Sequence, residues 1–231
     1  MNSTVNDPVK TLRLSRNEVE LVCTKAARGA GMSWGLAEEA GYAAGWLVAH
    51  GLDGASMLAR HLRHAQGKSW PEICPVVEAG AWLAMSPGQP LCPIALGATL
   101  SDHLGVDSAL FNGKGLRVGE VSSPALVLPF LAMAAAAAQE HAICVRHQDD
   151  VVRIDTKGCV SGDVSTLLAM ELATLIITVD RQDSTVKPGQ VEPSPVAADA
   201  LTFLQELSMR TTVPTSTASR ANAGAAGSDN D

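Results

Sequence analysis

The sequence predicts an α+β fold: helices first, a mixed β-sheet region after them, and a closing helix. Three observations carry that prediction. Apolar residues in the first third recur at helical spacing between glycine-marked stops. Residues 69 to 122 carry Pro71, Pro75, Pro87, Pro90 and Pro93 among many glycines, which discourages long helices there. Further on, β-branched runs gather around short polar turns.

The first helix starts at SRNE, where Ser15 can cap and Glu18 can reach back as a capping box. Val19, Val22, Cys23, Ala26 and Ala27 continue its apolar stripe, and Gly29 and Gly31 end it. Ser33 caps a second helix over 34 to 50, with Leu36, Ala40, Ala43, Ala44 and Leu47 inward and Gly51 as its stop. Asp53 opens a third, through about 65, with Leu58, His61 and Leu62 on one side. In the proline-rich middle, EAGAWLAM reads as a short helix, LCPIALGATLSDH as a strand followed by a turn, and LRVGEV as a strand. SPALVL runs up to Pro129, which suits the first turn of a helix over 129 to 140. AICVRH and VVRID flank QDD as a hairpin. LATLIITVD is a further strand, with Ile176, Ile177, Thr178 and Val179 in a row. Ser194 and Pro195 start the last helix, over 195 to 209, with Ala198, Leu201, Leu204 and Leu207 inward. The expected organisation is a flexible leader over 1–12 and one α+β domain over 13–210, helical to about 67 and α/β from 68. A C-terminal segment over 211–231 follows, either disordered or folded over a site.

Composition narrows the function classes. Aromatics are 3% of the 231 residues, so packing leans on Leu, Val, Ile and Ala. A net charge of −7 argues against nucleic acid, whose phosphates need a basic patch. The most apolar run, 123 to 138, is shorter than the roughly 20 residues a bilayer span needs, and Pro129 interrupts it. The five cysteines have wide, irregular spacing and no CxxC pair, which indicates reduced thiols in a soluble, cytoplasmic protein. His61 and His64 are spaced for one helix face, but no third metal ligand is evident. No metal and no cofactor is assigned.

Several residues remain as site candidates. Cys92 lies between prolines with Asp102 and His103 downstream, a nucleophile with an acid or base in reach. Glu38 and Glu39 are adjacent on a predicted helix, about 100° apart, so they cannot face each other as an acid/base pair. Glu38 can instead meet the Lys25 or Arg28 end of the preceding helix, as an ion pair or as a catalytic carboxylate. Glycines in KAARGAG follow a helix rather than open one, so this is no phosphate loop, and Arg28 complements the helix dipole.

The stretch KAARGAG, Lys25 to Gly31, followed by WGLAEEA, Trp34 to Ala40, is similar to the opening of an uncharacterised bacterial family known as a domain of unknown function. The ending resembles that family too: Ala218, Ser219, Arg220, a Gly/Ala run, then Asp229, Asn230 and Asp231. The resemblance implies no reaction. It does imply that the C-terminal segment folds back, with Arg220 clamping a carboxylate and Asp229, Asn230 and Asp231 meeting a cation or ammonium group. Arg28 and Trp34 would supply the other half of that substrate site. Three readings stay open. One is an enzyme acting on a small polar metabolite, an amino acid or carboxylate, with Glu38, Asp102 or Cys92 as catalytic groups. Another is a small-molecule-binding or accessory subunit of a catabolic enzyme. The third is a homo-oligomer built on the Ala-rich helix.

Overall fold

The structure is a computed structural model and describes residues 10–104, 115–138, 141–180 and 191–211. The three leading helices form as their caps dictate. Helix α1 spans Arg16–Gly29. Its capping box is complete: Glu18 N donates to Ser15 Oγ at 3.3 Å, and Ser15 N donates to Glu18 Oε2 at 2.8 Å. Helix α2, Trp34–Ala49, is capped by Ser33, and α3, Gly54–His64, by Asp53, whose carboxylate accepts from Ser56 N at 3.0 Å. Helices α1 and α2 pack closely because small residues line their seam. A Cβ at Gly41 would sit 2.1 Å from Thr24 Oγ1, so only glycine allows that approach.

The proline-rich middle differs from expectation in two places. EAGAWLAM is not a helix; strand β3, Ala81–Ala84, occupies it, after a two-residue β2 at Pro75–Val76. Eight residues are too few to support an isolated helix, and pairing with neighbouring strands decides the matter. Trp82 points into the core while Leu83 faces out, the alternation of a strand. LCPIALGATLSDH is not a strand and turn either. Only Leu91 makes a β-bridge, to Val121, and from Pro93 the chain is helix α4, Pro93–Leu104. Pro93 stands at the first helical position, where a missing N–H costs nothing, so it starts this helix instead of breaking one. Ile94, Leu96 and Leu100 point inward.

Strand β4, Leu116–Ser122, then runs into a 3₁₀ turn, Pro124–Val127, and helix α5, Leu128–Ala138. The expected hairpin forms as β5, Ala142–His147, and β6, Asp150–Ile154. A short β7, Val160–Gly162, and α6, Val164–Ala169, follow; both are too brief to leave a periodic signal. Strand β8 spans Leu172–Asp180. The last helix is α7, Ala198–Met209, entered from β9, Val196–Ala197, which pairs with β1, Thr11–Leu12.

The main sheet is mixed, in the order β2-β3-β4-β8-β5-β6-β7, with β3 and β4 parallel and the other pairs antiparallel. On β8, Ala173, Leu175 and Ile177 are buried while Leu172, Thr174 and Ile176 are exposed. Above it, α4 and α5 cross where Gly97 meets the Phe130 ring. The architecture is α+β, and no described helix is long and apolar enough to cross a membrane.

Candidate functional site

Three buried polar side chains meet where the helical part joins the sheet. Cys92 occupies the position before α4, and its carbonyl accepts from Leu96 N at 3.0 Å. Backbone N–H groups of Ile94 and Ala95 point at its sulfur. His61 comes from the inner side of α3, and its Nε2 lies 3.4 Å from Cys92 Sγ. Its Nδ1 lies 2.6 Å from Ser122 Oγ, at the end of β4. The Ser122 hydroxyl in turn makes a long 3.4 Å contact to the Leu91 carbonyl. With the Ser122 hydroxyl donating to that carbonyl, Nδ1–H would donate to Ser122 and Nε2 would face the thiol as acceptor; with the hydroxyl donating to Nδ1, Nε2–H would face the sulfur. The first of these is the tautomer a general base for Cys92 needs.

The surroundings hold the group neutral. Cys92, His61 and Ser122 are 0%, 1% and 2% exposed. Burial pushes the Cys92 thiol up to about 12, against the opposing pull of the Ala95 and Ile94 N–H groups. Burial, aided by the nearby His64 and Lys68 charges, pulls His61 down to about 3. The imidazole is covered on one side by Trp70, edge-on at 6.0 Å and partly exposed, whose indole N–H donates to the Ala30 carbonyl at 3.2 Å. On the other side Ser123 follows Ser122 with φ +47°, the left-handed region a serine rarely adopts. Its hydroxyl accepts from Arg60 Nε at 3.0 Å.

The predicted candidates fall at separate places. Asp102 and His103 do not serve Cys92. They lie at the far end of α4, ten residues or roughly 15 Å along the axis, and His103 Nδ1 contacts the Thr99 carbonyl at 2.8 Å. The imidazole beside Cys92 is that of His61, which the sequence offered only as half of a metal pair or a helix-face residue. Glu38 makes no ion pair with Lys25 or Arg28; the Arg28 guanidinium donates to the Met32 carbonyl and stacks on Trp34, 4.9 Å from the ring centroid. Arg28 and Trp34 are thus together, at one exposed turn. Glu38 instead lines an open cleft of about 270 Å³ with Glu39, Tyr42 and Met133. The Glu39 carboxyl is raised there by burial, then by the charges of Asp102 and Glu38. So Glu38 and Asp102 do share one acidic neighbourhood, remote from the thiol in sequence and on the helix. Arg220, Asp229, Asn230 and Asp231 lie outside the described residues. Among the described residues, no three His, Cys, Asp or Glu side chains are placed to hold a metal ion.

Residues 14–89 match a family described as "Protein of unknown function (DUF3726)". The match runs from α1 past β3. It includes Lys25 to Gly31, Trp34 to Ala40 and His61, and it ends before Cys92 and Ser122. No curated protein matches the chain.

Proposed function

We propose that the protein is an enzyme acting on a small polar metabolite, an amino acid or carboxylate, with Cys92 as nucleophile, His61 as its base and Ser122 holding the imidazole. The observation that supports this reading is the hydrogen-bonded line from Cys92 Sγ through His61 to Ser122, at 3.4 and 2.6 Å. It is drawn from three different elements beside a backbone strained at Ser123. The reaction that fits is acyl transfer or hydrolysis at a carbonyl carbon. Sulfur bonds to that carbon as the thiol proton passes to His61 Nε2. The same proton then leaves with the departing group as its bond to carbon breaks. Water next attacks the thioester carbon and gives a proton to His61; the C–S bond breaks, the carboxylic acid leaves, and that proton returns to the Cys92 sulfur. Burial keeps the pair neutral, so this reading requires part of its cover, which includes Trp70, to open for substrate.

A second reading rests on the cleft of Glu38, Glu39, Tyr42 and Met133. Carboxylates of one sign beside an aromatic ring suit a cationic ligand, without any nucleophile at hand. This is the site expected of a binding or accessory subunit.

A thermal-shift screen of amino acids, hydroxy acids and their amides and esters separates the readings. A stabilising ligand that is consumed by the native protein and left intact by Cys92→Ala supports the enzyme. A ligand that is never consumed, and whose shift disappears in Glu38→Gln with Glu39→Gln, supports the binding subunit.

A further inference from the structure

We propose that Arg60 anchors a carboxylate of the ligand beside the Cys92–His61–Ser122 group, an assignment that builds on the enzymatic reading of that site. Arg60 directly precedes His61 on α3. Its Nε donates to Ser123 Oγ at 3.0 Å and its Nη2 to the Leu168 carbonyl at 3.2 Å. Ser123 is also the residue after Ser122, so the guanidinium is fixed against the turn that positions the imidazole. Two of its five N–H donors are used. The other three have no partner among the described residues, and no carboxylate there lies within ion-pair distance of it. The half-buried guanidinium is hydrogen-bonded by neutral acceptors only, and Glu171 offsets its charge from beyond pairing distance.

The neighbouring charges are mixed. His64 lies one turn beyond Arg60 on α3, and Lys68 is close enough to act on both His61 and His64. Glu171 acts on Arg60 and His64, and Glu120 on His64, from beyond pairing distance. Burial holds His64 below its ordinary 6.5, so at neutral pH Arg60 and Lys68 face Glu171 and Glu120 in equal number, and the unused donors of Arg60, not an excess of positive charge, would select the carboxylate. A planar guanidinium with free, adjacent donors binds a carboxylate through two parallel hydrogen bonds.

The test uses the full chain and malonate, with neutral malonamide as the matched control, by calorimetric titration. Malonate is expected to bind the native protein and Cys92→Ala alike, at least tenfold more tightly than Arg60→Gln, with Arg60→Lys between. Malonamide is expected not to bind. Arg60→Gln keeps a donor for Ser123, and its melting temperature without ligand shows that it folds. Equal malonate affinity in Arg60→Gln, or no binding to the native protein, overturns the assignment. If Cys92-dependent turnover is found but malonate ignores Arg60, this inference fails while the enzyme reading stands. If malonate binding depends on Arg60 and nothing is ever consumed, the reverse holds.

Discussion

The two ends of helix α4 present opposite designs. At its N-terminal end, Cys92 meets His61 and Ser122 in a buried, hydrogen-bonded group. Near its C-terminal end, Asp102 joins the field of Glu38 and Glu39 beside an open cleft with carboxylates and no nucleophile. The difference teaches that exposure and reactivity are separate properties in this chain. An exposed acidic cleft can bind without chemistry. A buried thiol and imidazole can have the right geometry while desolvation holds them neutral.

The largest effect that would break the comparison is on turnover. Cys92→Ala is expected to reduce consumption of a screening hit by a factor of roughly a thousand or more, while costing about 1–2 kcal/mol of stability in urea unfolding. An equal loss from Glu38→Gln would put the chemistry at the wrong end of the helix. Next comes acid sensitivity. In the folded protein His61 takes a proton only near pH 3, whereas an ordinary imidazole does so at 6.5. The unfolded chain therefore binds more protons in that window, and stability falls as pH drops through it. The slope is about 1.4 kcal/mol per pH unit below 6.5. Urea midpoints of the native protein and His61→Asn should diverge in size of pH response over this range. Smaller still is Gly97→Ala in the middle of α4, whose new methyl would lie 2.1 Å from the Phe130 ring. A loss of about 1–3 kcal/mol is expected by thermal melting, because the helix that joins the two ends must shift. The smallest effect sharpens the contrast: Glu38→Gln, at an exposed position, should change stability by no more than about 0.5 kcal/mol.

The sequence displays these regions unequally. Helices α1 to α3 were legible because Ser15, Ser33 and Asp53 cap them and Gly31 and Gly51 stop them, all local signals. The β5–β6 hairpin and β8 were legible through β-branched runs. Strand β3 and helix α4 were not, because Trp82 is decided by a parallel partner strand far along the chain, and Pro93 reads as breaker or starter according to context. The site was half legible. Cys92 stood out between prolines. His61 and Ser122 did not, since 31 residues separate each from Cys92 or its neighbour Leu91 and only the fold unites them. One available signal was His61 itself, a polar group on the apolar side of α3 between Leu58 and Leu62, which burial obliges to find partners.

The most direct test of the account compares two cysteines. Cys23 and Cys92 are both 0% exposed, and burial raises both thiols, but only Cys92 faces an imidazole. The enzymatic reading requires the cover over Cys92 to open locally, so iodoacetamide labelling of the folded protein, read peptide by peptide by mass spectrometry, should modify Cys92 well before Cys23, and His61→Asn should slow Cys92 alone. If Cys92 stays as protected as Cys23 until the whole protein unfolds, the group at the head of α4 is core, and the proposed chemistry is wrong.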